Sequence, residues 1–352
     1  MSKVCILGDT HLGARNDSLA FHAFFEKFYT FLFDRLEAEG IDTILQLGDL
    51  WDRRKYVNFN TLLMCRRYFF DELKKRNIKM ITLLGNHDIF FRNTLEVNSS
   101  TLLLQEYSCI KIIDRPQTID VNGVPIVMIP WMCASNYEEC FNEIKNTNAD
   151  ICLGHLEISG FEMYRGHTAE GGLDASIFAR FDLVFSGHYH HRSTKGNISY
   201  LATPYELTWQ DYADPKGFHT FDLSTRELVF IENPYTMFIR IEYDDKNKDP
   251  IDLDAIELND KFVKLVVVNK TDFYKFDQFI SKLYTKKCHD IKIVEDMSEF
   301  QSGEINDDNI DLEDTLSILS NYVDSIATDI DKEKIKNYMK TLYIEASTNE
   351  VL

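Results

Sequence analysis

The sequence predicts an α/β fold in its first 232 residues, because short apolar runs alternate there with longer helical patterns. The first two runs, at residues 4–7 and 43–47, are rich in aliphatic residues and have the length of buried strands. Between them, apolar residues recur at helical spacing and predict one amphipathic helix. Its apolar face comprises Phe21, Phe24, Phe25, Phe28, Leu32 and Leu36.

The later elements of this region follow the same alternation. A second helix is predicted over residues 60–76, and an Asn122-Gly123 pair predicts a hairpin between two of the strands. The strands share short length and apolar content, and they are predicted at 79–84, 110–113, 117–121, 124–129, 151–153, 183–185, 198–201, 218–222 and 227–232.

The pattern changes after Asn233-Pro234, where a smaller α/β unit is predicted. Its strands are 237–243, 262–268 and 290–294, and its helix is 273–283. An acidic linker follows, and beyond it two helices are predicted. Their apolar positions are Leu312, Leu316, Leu319, Val323, Ile326 and Ile330 in the first, and Ile335, Tyr338, Met339 and Leu342 in the second. The predicted domains are therefore 1–232, 233–296 and 297–352.

The net charge of −19 is unevenly distributed along the chain. Residues 295–331 contain 12 acidic residues and no Lys or Arg, which leaves 38 basic and 45 acidic residues elsewhere. The charge is thus weak evidence against a nucleic-acid substrate. The seven cysteines are scattered without a Cys-x-x-Cys pair, which favours reduced thiols over disulfides or a zinc knuckle. No apolar run reaches the roughly 18 residues of a membrane span.

Five strands end in a glycine followed by side chains that can bind metals. The motifs, in order, are Gly8-Asp9-Thr10-His11, Gly48-Asp49-Leu50-Trp51-Asp52-Arg53, Gly85-Asn86-His87-Asp88, Gly154-His155 and Gly187-His188-Tyr189-His190. Polar residues where strands end and loops begin are aimed at one edge of a sheet. We expect glycine to let the chain bend sharply at each turn. The five motifs should therefore converge.

The convergent set mixes carboxylate, amide and imidazole donors, which suits Mn²⁺, Fe²⁺ or Zn²⁺ better than Ca²⁺. Two cations roughly 3.5–4 Å apart can bind the nucleophile and the phosphate oxygens of an in-line displacement. A single Gly-Asp or Gly-His is most often structural, with roughly a one-in-ten chance of function. Five such motifs in strand-ending positions make a much stronger signal.

The motif order GDxH, GDxxD, GNHD, GH, GHxH resembles the calcineurin-like metallophosphoesterase superfamily. Within this superfamily, the sequence is similar to the DNA double-strand-break repair nucleases of the SbcD type and to their phage recombination-nuclease relatives. The stretch Tyr200-Leu201-Ala202-Thr203-Pro204-Tyr205 and the stretch Asp214-Pro215-Lys216-Gly217-Phe218 look like this branch, and Ile129-Pro130-Trp131-Met132 is similar to its phage members. The resemblance implies a two-sheet metallophosphoesterase sandwich flanked by helices, a small α/β capping domain and a C-terminal helical tail.

The resemblance also implies roles for individual residues. A first metal group would comprise Asp9, His11, Asp49 and His190. A second metal group would comprise Asp49, Asn86, His155 and His188, with Asp49 bridging. His87 matches the catalytic histidine that contacts the scissile phosphate and aids the leaving oxygen. Archaeal and eukaryotic members have a second histidine where this chain has Asp52, and here Asp52 would instead orient a ligand.

By resemblance, the function is that of a Mn²⁺-dependent DNA nuclease with 3′→5′ exonuclease and endonuclease activity on DNA ends, in recombination, repair and replication. Mg²⁺ is the alternative metal. Its partners would be DNA, an SMC-like coiled-coil ATPase of the SbcC type bound by the helical tail, and a second copy in a homodimer. The location would be cytoplasmic, in the host cytoplasm if a phage encodes the chain.

Two other functions are open at this point. GDxxDR also occurs in protein and small-molecule phosphatases, although these do not need the extra domain and tail. A metal-free scaffold, like the retromer subunit of this superfamily, should have lost ligands, and all seven are present. Basic residues near the motifs contact DNA phosphates or are solvated loop charges. They are Arg15, Arg53, Arg54, Lys55, Arg92, Arg165 and Arg192.

Overall fold

In a computed structural model, the described residues are 2–246, 251–294 and six single positions at 323, 332, 334–336 and 339. The chain divides into two compact units, Met1–Glu295 and Asp296–Leu352. The predicted acidic linker and most of the two predicted tail helices lie outside the described residues. None of the described helices combines the length and apolarity that crossing a bilayer requires.

The described residues form seventeen strands, several helices and short 3₁₀ turns. The strands are β1 Lys3–Leu7, β2 Thr43–Gln46, β3 Lys79–Leu83, β4 Ile110–Ile113, β5 Gln117–Val121, β6 Val124–Ile129, β7 Ile151–His155, β8 Glu162–Tyr164, β9 His167–Thr168, β10 Leu183–Gly187, β11 Ser193–Lys195, β12 Ile198–Tyr200, β13 Gly217–Asp222, β14 Leu228–Glu232, β15 Phe238–Asp244, β16 Phe262–Asn269 and β17 Asp290–Val294. The main helices are Leu19–Glu39, Phe59–Cys65, Asp71–Lys75, Ser99–Leu104, Tyr137–Asn146 and Phe273–Tyr284.

Two six-stranded sheets carry the fold. The first has the order β14-β13-β1-β2-β3-β4, in which β1 to β4 are parallel. The second has the order β11-β12-β10-β7-β6-β5, in which β12, β10, β7 and β6 are parallel. Alternate residues of the central strands, such as Ile6 and Leu45 in one sheet and Met128 and Leu153 in the other, form one buried cluster. The predicted α/β sandwich is confirmed.

Helices cover the outer faces of both sheets. Helix Leu19–Glu39 turns Phe25 and Phe28 toward Cys5 and Leu7 of β1, as its apolar spacing predicts. This helix ends at Gly40, whose left-handed φ of 65° terminates it. On the other side, helix Tyr137–Asn146 packs against β6 and β7. Its sequence did not reveal it, because only two of its side chains are buried.

The second predicted helix, 60–76, contains a π-helical segment at Arg66–Phe70 between its two α-helical parts. Tyr68, Phe69 and Phe70 are all buried there. Successive residues of an α-helix point about 100° apart, so three in a row cannot share one narrow face. The wider π turn brings all three aromatic rings toward the core.

The third sheet, β15-β16-β17, is parallel throughout and has a core of its own. Phe276 and Leu283 of helix Phe273–Tyr284 are buried in this core with Ile241 and Leu265. These elements match the small α/β unit predicted from the sequence, and they belong to the same compact unit as the sandwich. The division at residue 232 stays a prediction.

A buried carboxylate joins the third sheet to the sandwich. Glu206 accepts hydrogen bonds from the backbone N–H groups of Met237, at 2.5 Å, and Phe238, at 3.0 Å. Burial raises the pKa of Glu206 to about 7. The folded protein therefore retains this proton at pH values where the unfolded chain has lost it.

Glu206→Gln should remove one pH-dependent contribution to stability. A carboxyl whose pKa is raised on folding stabilises the protein at low pH, and that stabilisation is lost between the unfolded pKa of about 4.5 and the folded pKa of about 7. As pH rises through this window, the free energy of unfolding of the variant should therefore increase relative to that of the wild type, by up to ~1.4 kcal/mol per pH unit. Denaturant unfolding of both proteins at pH 5 and pH 8, in the presence of a chelator, measures this difference. An equal change in the free energy of unfolding of the two proteins between these pH values would contradict the prediction.

Candidate metal centre

The five glycine-anchored motifs lie at the carboxyl ends of parallel strands. Those of the first sheet follow β1, β2 and β3, and those of the second sheet involve the ends of β7 and β10. Because the sheets pack face to face, these ends come together at one edge of the sandwich. Residues separated by up to 179 positions are in contact there. The structure thus brings the five motifs together, as the sequence predicts.

The first metal group is compact. The Nε2 atoms of His11 and His190 are 3.0 Å apart. His190 Nε2 is also 3.8 Å from Asp9 Oδ2, and His11 Nε2 is 3.8 Å from Asp49 Oδ2. Asp9, His11 and His190 each have a donor atom within 4.8 Å of the others. All four predicted members are therefore close to one another.

The second metal group is arranged around the side-chain oxygen of Asn86. This Oδ1 is 3.0 Å from His155 Nε2 and 3.0 Å from His188 Nδ1. His155 Nε2 is also 3.4 Å from Asp49 Oδ2. Asp49 thus has contacts in both groups, which is the position that a bridging ligand needs.

Hydrogen bonds among the donor atoms leave acceptors unsatisfied that a divalent cation would satisfy. His155 Nδ1 lies 2.8 Å from the carbonyl of Leu47 and donates to it, so Nε2 points at two further acceptors, Asn86 Oδ1 and Asp49 Oδ2. Asp9 Oδ1 is buried without a hydrogen-bond partner. Two donors about 2.1 Å from one ion and at right angles lie about 3 Å apart, as several of these atoms do.

The electrostatics of the site show the same demand for positive charge. Burial would lower the pKa of His155, but Asp49 and Asp9 outweigh it and raise that pKa to about 9. Burial would likewise lower the pKa of His11, which Asp52 and the other carboxylates raise to about 9. By contrast, burial lowers the pKa of His188 to about 3, with His155 adding to the effect. The carboxylates thus draw protons onto two of the imidazoles.

Burial would raise the pKa of Asp49, but His155, His87 and His11 outweigh it and hold that pKa well below its usual value. Burial raises the pKa of Asp9 to about 7, so the two carboxylates differ sharply in their hold on a proton. Asp49 therefore remains ionised between the two groups. A permanently charged carboxylate is suited to offset the repulsion between two cations.

Three predicted ligands have left-handed backbone conformations that residues other than glycine rarely adopt. The φ angles are 42° at His11, 49° at Asp49 and 86° at His188. Such conformations each cost of order 1–3 kcal/mol and persist where the surrounding structure enforces them. These three are among thirteen non-glycine residues with positive φ in the described part of the chain, so the strain adds to the case for this edge only together with the donor geometry.

The motif glycines mainly provide space. A Cβ on Gly85 would lie 2.1 Å from Asp49 Oδ1, and one on Gly187 would lie 2.3 Å from Asp9 Oδ1. Among the five, only Gly48 has a left-handed φ, of 99°. At the other four motifs, the requirement for glycine comes from the space around the Cα atom and not from a left-handed φ. At Gly48, Gly85 and Gly187, the side chain nearest to that Cβ position is a predicted ligand: His155, Asp49 and Asp9, respectively.

Two buried side chains to which the sequence assigned no role hold the ligand loops. The Nε2 of Gln46 donates to the carbonyls of Gly8, at 3.3 Å, and Gly48, at 2.6 Å, which precede Asp9 and Asp49. Asp88 accepts from the backbone N–H groups of Gly85 and Trp51 at 2.8 and 3.1 Å. Each residue ties two motifs together, which fixes the spacing between ligands.

His87 lies beside the first metal group, where donor atoms of His87, His11 and Asp49 are within 4.8 Å of one another. Its Nδ1 is 2.6 Å from the backbone carbonyl of Asp52 and donates to it, which leaves Nε2 as the ring nitrogen available to a substrate. Its backbone N–H donates to Asp49 Oδ1 at 2.8 Å, and its ring centroid is 4.8 Å from that of His11. The histidine is thus oriented by the same loops that carry the ligands.

Asp52 contacts a ligand from outside the donor set. Its Oδ1 lies 3.5 Å from Nδ1 of His11, on the side of the ring opposite the metal-facing Nε2. A carboxylate in this position can orient a histidine if that histidine is a metal ligand. The geometry is compatible with the orienting role expected for Asp52.

The centre opens to solvent on one side. The side chains of Asp9 and Asp49 are only 1% and 2% exposed, whereas that of His190 is 31% exposed. Asn86, His87 and His188 are half-buried as well. A substrate would approach from the side that these residues line.

A partly exposed tryptophan borders this opening. The ring centroid of Trp131 is 5.1 Å from that of His188 and 5.9 Å from that of His155. Its backbone N–H donates to Leu84 at 2.8 Å, just before the Gly85 motif. The sequence indicated Trp131 only through the family resemblance of its tetrapeptide, because its place depends on how the two sheets pack.

Several basic residues near the motifs have partners within the protein. Arg53 donates to Asp17 at 3.1 Å and to Tyr56 at 2.5 Å. Arg165 donates to the carbonyl of Ala213 at 2.7 Å, and the Arg192 guanidinium lies 3.8 Å from the ring centroid of Phe230. For these three, the structure gives a stabilising role within the fold.

The chain is similar to known phosphoesterases. The model of the calcineurin-like phosphoesterase family matches residues 2–192, which include all five motifs. Exonuclease subunit 1 of Enterobacteria phage T4 is 32% identical over 350 residues, which cover 98% of this chain and 99% of that protein. Of solved structures, GAP50, the anchor in the inner membrane complex of Plasmodium, has a TM-score of 0.39 and 12% identity over 67% of this chain and 90% of its own.

Proposed function

The chain belongs to the calcineurin-like phosphoesterase family, and we propose that it is a Mn²⁺-dependent nuclease that cleaves DNA phosphodiester bonds, as a 3′→5′ exonuclease and an endonuclease. The observation that carries this proposal is the convergence of seven oxygen and nitrogen donors around Asp49, whose Oδ2 is near His11 Nε2 on one side and His155 Nε2 on the other. The similarity to a phage exonuclease subunit over nearly the whole chain favours DNA as the substrate.

The proposed ligands have the chemistry that phosphodiester hydrolysis requires. Two divalent ions would polarise the attacking water and the scissile phosphate and offset the negative charge that develops between them. Asp9, His11, Asp49 and His190 would hold one ion, and Asp49, Asn86, His155 and His188 the other.

His87 has a separate role in the proposal. With Nδ1 donating to the carbonyl of Asp52, Nε2 is the ring nitrogen left for the scissile phosphate. In the doubly protonated form of the ring, the Nε2 proton would pass to the leaving oxygen while Nδ1 keeps its own proton on the carbonyl. Asp52 would hold His11 in the orientation that the first metal group requires.

Trp131 favours a nucleic acid over a phosphoprotein. Its ring beside His188 offers an aromatic face on which a base can stack when the adjacent phosphate is at the metals. The phosphatase alternative gives no role to this side chain, nor to the third sheet.

Trp131→Ala should therefore weaken substrate binding in a base-dependent way. Stacking of one base on an aromatic ring contributes about 1–3 kcal/mol, so KM for a single-stranded oligonucleotide should rise about 5- to 150-fold. KM for a matched abasic oligonucleotide should not change. Steady-state kinetics on both substrates measure the difference, and equal changes would remove Trp131 from base binding.

The proposed partners extend beyond the metal centre. We infer an SMC-like coiled-coil ATPase as the partner of the helical tail and a homodimer within that complex, with capping and nuclease domains divided at residue 232. The phage relative is called a subunit, which supports a complex.

Substrate class decides between the nuclease and the phosphatase. The chain should degrade linear duplex DNA in Mn²⁺, and it should leave a phosphoserine peptide intact under the same conditions. Release of phosphate from the peptide without DNA cleavage would favour the phosphatase. Inactivity on both, with Mn²⁺ bound and the ATPase present, would favour a scaffold.

A further inference from the structure

We propose that Lys216 is a positioning residue that holds His190 in place through its backbone carbonyl. Lys216 Nζ donates to the His190 carbonyl oxygen at 2.6 Å. Lys216 directly precedes β13 and is 26 positions after His190 in the sequence. This role rests on the proposed function, because it concerns a ligand of the first metal group.

Lys216 is unusual among lysines because its charged side chain is buried. Its side chain is only 3% exposed, and its ammonium group donates to Asp211 Oδ1 at 2.7 Å and to Asp214 Oδ2 at 2.9 Å. With His190, these acceptors use all three of its N–H donors. A buried ammonium with three fixed partners has one geometry, so the carbonyl that it binds is held at a fixed position.

Both carboxylates are themselves anchored. Asp211 Oδ2 accepts from the backbone N–H groups of Leu207 and Thr208, each at 2.9 Å. The Asp214 carboxylate lies 3.1 Å from Nδ1 of His191, the residue after the ligand. The loop at His190 is thus bound twice, once through its carbonyl and once through the next side chain.

His190 needs such support more than His155 and His87 do. His155 and His87 each have one ring nitrogen on a backbone carbonyl, of Leu47 and Asp52. Within the described part of the chain, the hydrogen-bond and ion-pair contacts of the His190 ring are those of Nε2 with His11 and Asp9, which are predicted ligands themselves. The hydrogen bond from Lys216 therefore replaces the ring anchor that His190 lacks.

The test compares Mn²⁺ binding to Lys216→Met and to the wild type by calorimetric titration of the full chain. We expect one of the two Mn²⁺ dissociation constants to rise about 10- to 100-fold, as for the loss of groups that orient ligands, and the other to stay unchanged. DNA KM at saturating Mn²⁺ should also be unchanged. Arg180→Met is the matched control, because Arg180 likewise donates to backbone carbonyls, those of Ile144, Lys145 and Thr147.

Unchanged dissociation constants in Lys216→Met would overturn the proposal, even if its thermal stability falls. Equal weakening in Arg180→Met would overturn it too, since the effect would then be one of general stability. If Lys216→Met does not fold, Lys216→Gln, which keeps an N–H donor, is titrated under the same criteria. A wild-type chain that binds no Mn²⁺ would instead contradict the proposed function.

Discussion

Asp49→Ala is expected to remove detectable DNA cleavage and to prevent the binding of two Mn²⁺ ions. The Asp49 Oδ2 atom is 3.4 Å from His155 Nε2 and 3.8 Å from His11 Nε2, so the substitution takes one donor from each metal group. It also removes the acceptor for the His87 backbone N–H. The loss of rate should exceed the ~10²–10⁴-fold that general acid–base catalysis alone contributes.

Mn²⁺ titration and cleavage of linear duplex DNA measure these losses. Asp120→Ala provides a matched control, because Asp120 is an exposed hairpin carboxylate whose side chain accepts from the Gly123 N–H. The control should bind two ions and cleave DNA like the wild type. Two tightly held ions in Asp49→Ala would show that this carboxylate does not bridge the groups.

His87→Ala is expected to lower turnover by about 10²–10⁴-fold while both ions and DNA affinity are retained. The histidine lies beside the first metal group, and its Nδ1 is taken by the carbonyl of Asp52, so its Nε2 is free for a proton transfer. The effect should therefore appear in kcat and leave the Mn²⁺ dissociation constants unchanged.

His289→Ala is the control for this substitution, since the His289 ring packs on Phe262 in the third sheet. Single-turnover cleavage and Mn²⁺ titration of both variants separate chemistry from metal retention. Near-normal rates in His87→Ala would exclude the histidine from the reaction. Loss of an ion would instead make it a ligand.

The strands and the ligand cluster could be predicted from sequence because each rests on a local pattern. A run such as residues 151–153 is short, apolar and followed by Gly154-His155, and the structure extends it to His155 as β7. Parallel strands then bring the loop residues to one edge without further information. The donor chemistry of Asp9 or His188 needs only the residue type.

The supporting residues could not be predicted, because their roles depend on tertiary neighbours. Gln46 is one residue of a strand in the sequence, yet it binds two ligand loops. The spacing of residues 60–76 fits a regular helix, and only the need to bury three consecutive aromatic residues explains its π segment. Arg53 could be a DNA contact or a solvated loop charge from the sequence alone, and its hydrogen bond to Asp17 depends on tertiary structure.

The central claim is that one set of seven side chains holds two metal ions and cleaves DNA. Mn²⁺ titration of the wild-type chain, followed in parallel by electron paramagnetic resonance and by cleavage of linear duplex DNA, tests it most directly. We predict two ions per chain, a spin-coupled signal, and cleavage that rises as the second ion binds. Full activity with a single uncoupled ion, or cleavage that survives removal of metal by EDTA, would contradict the claim.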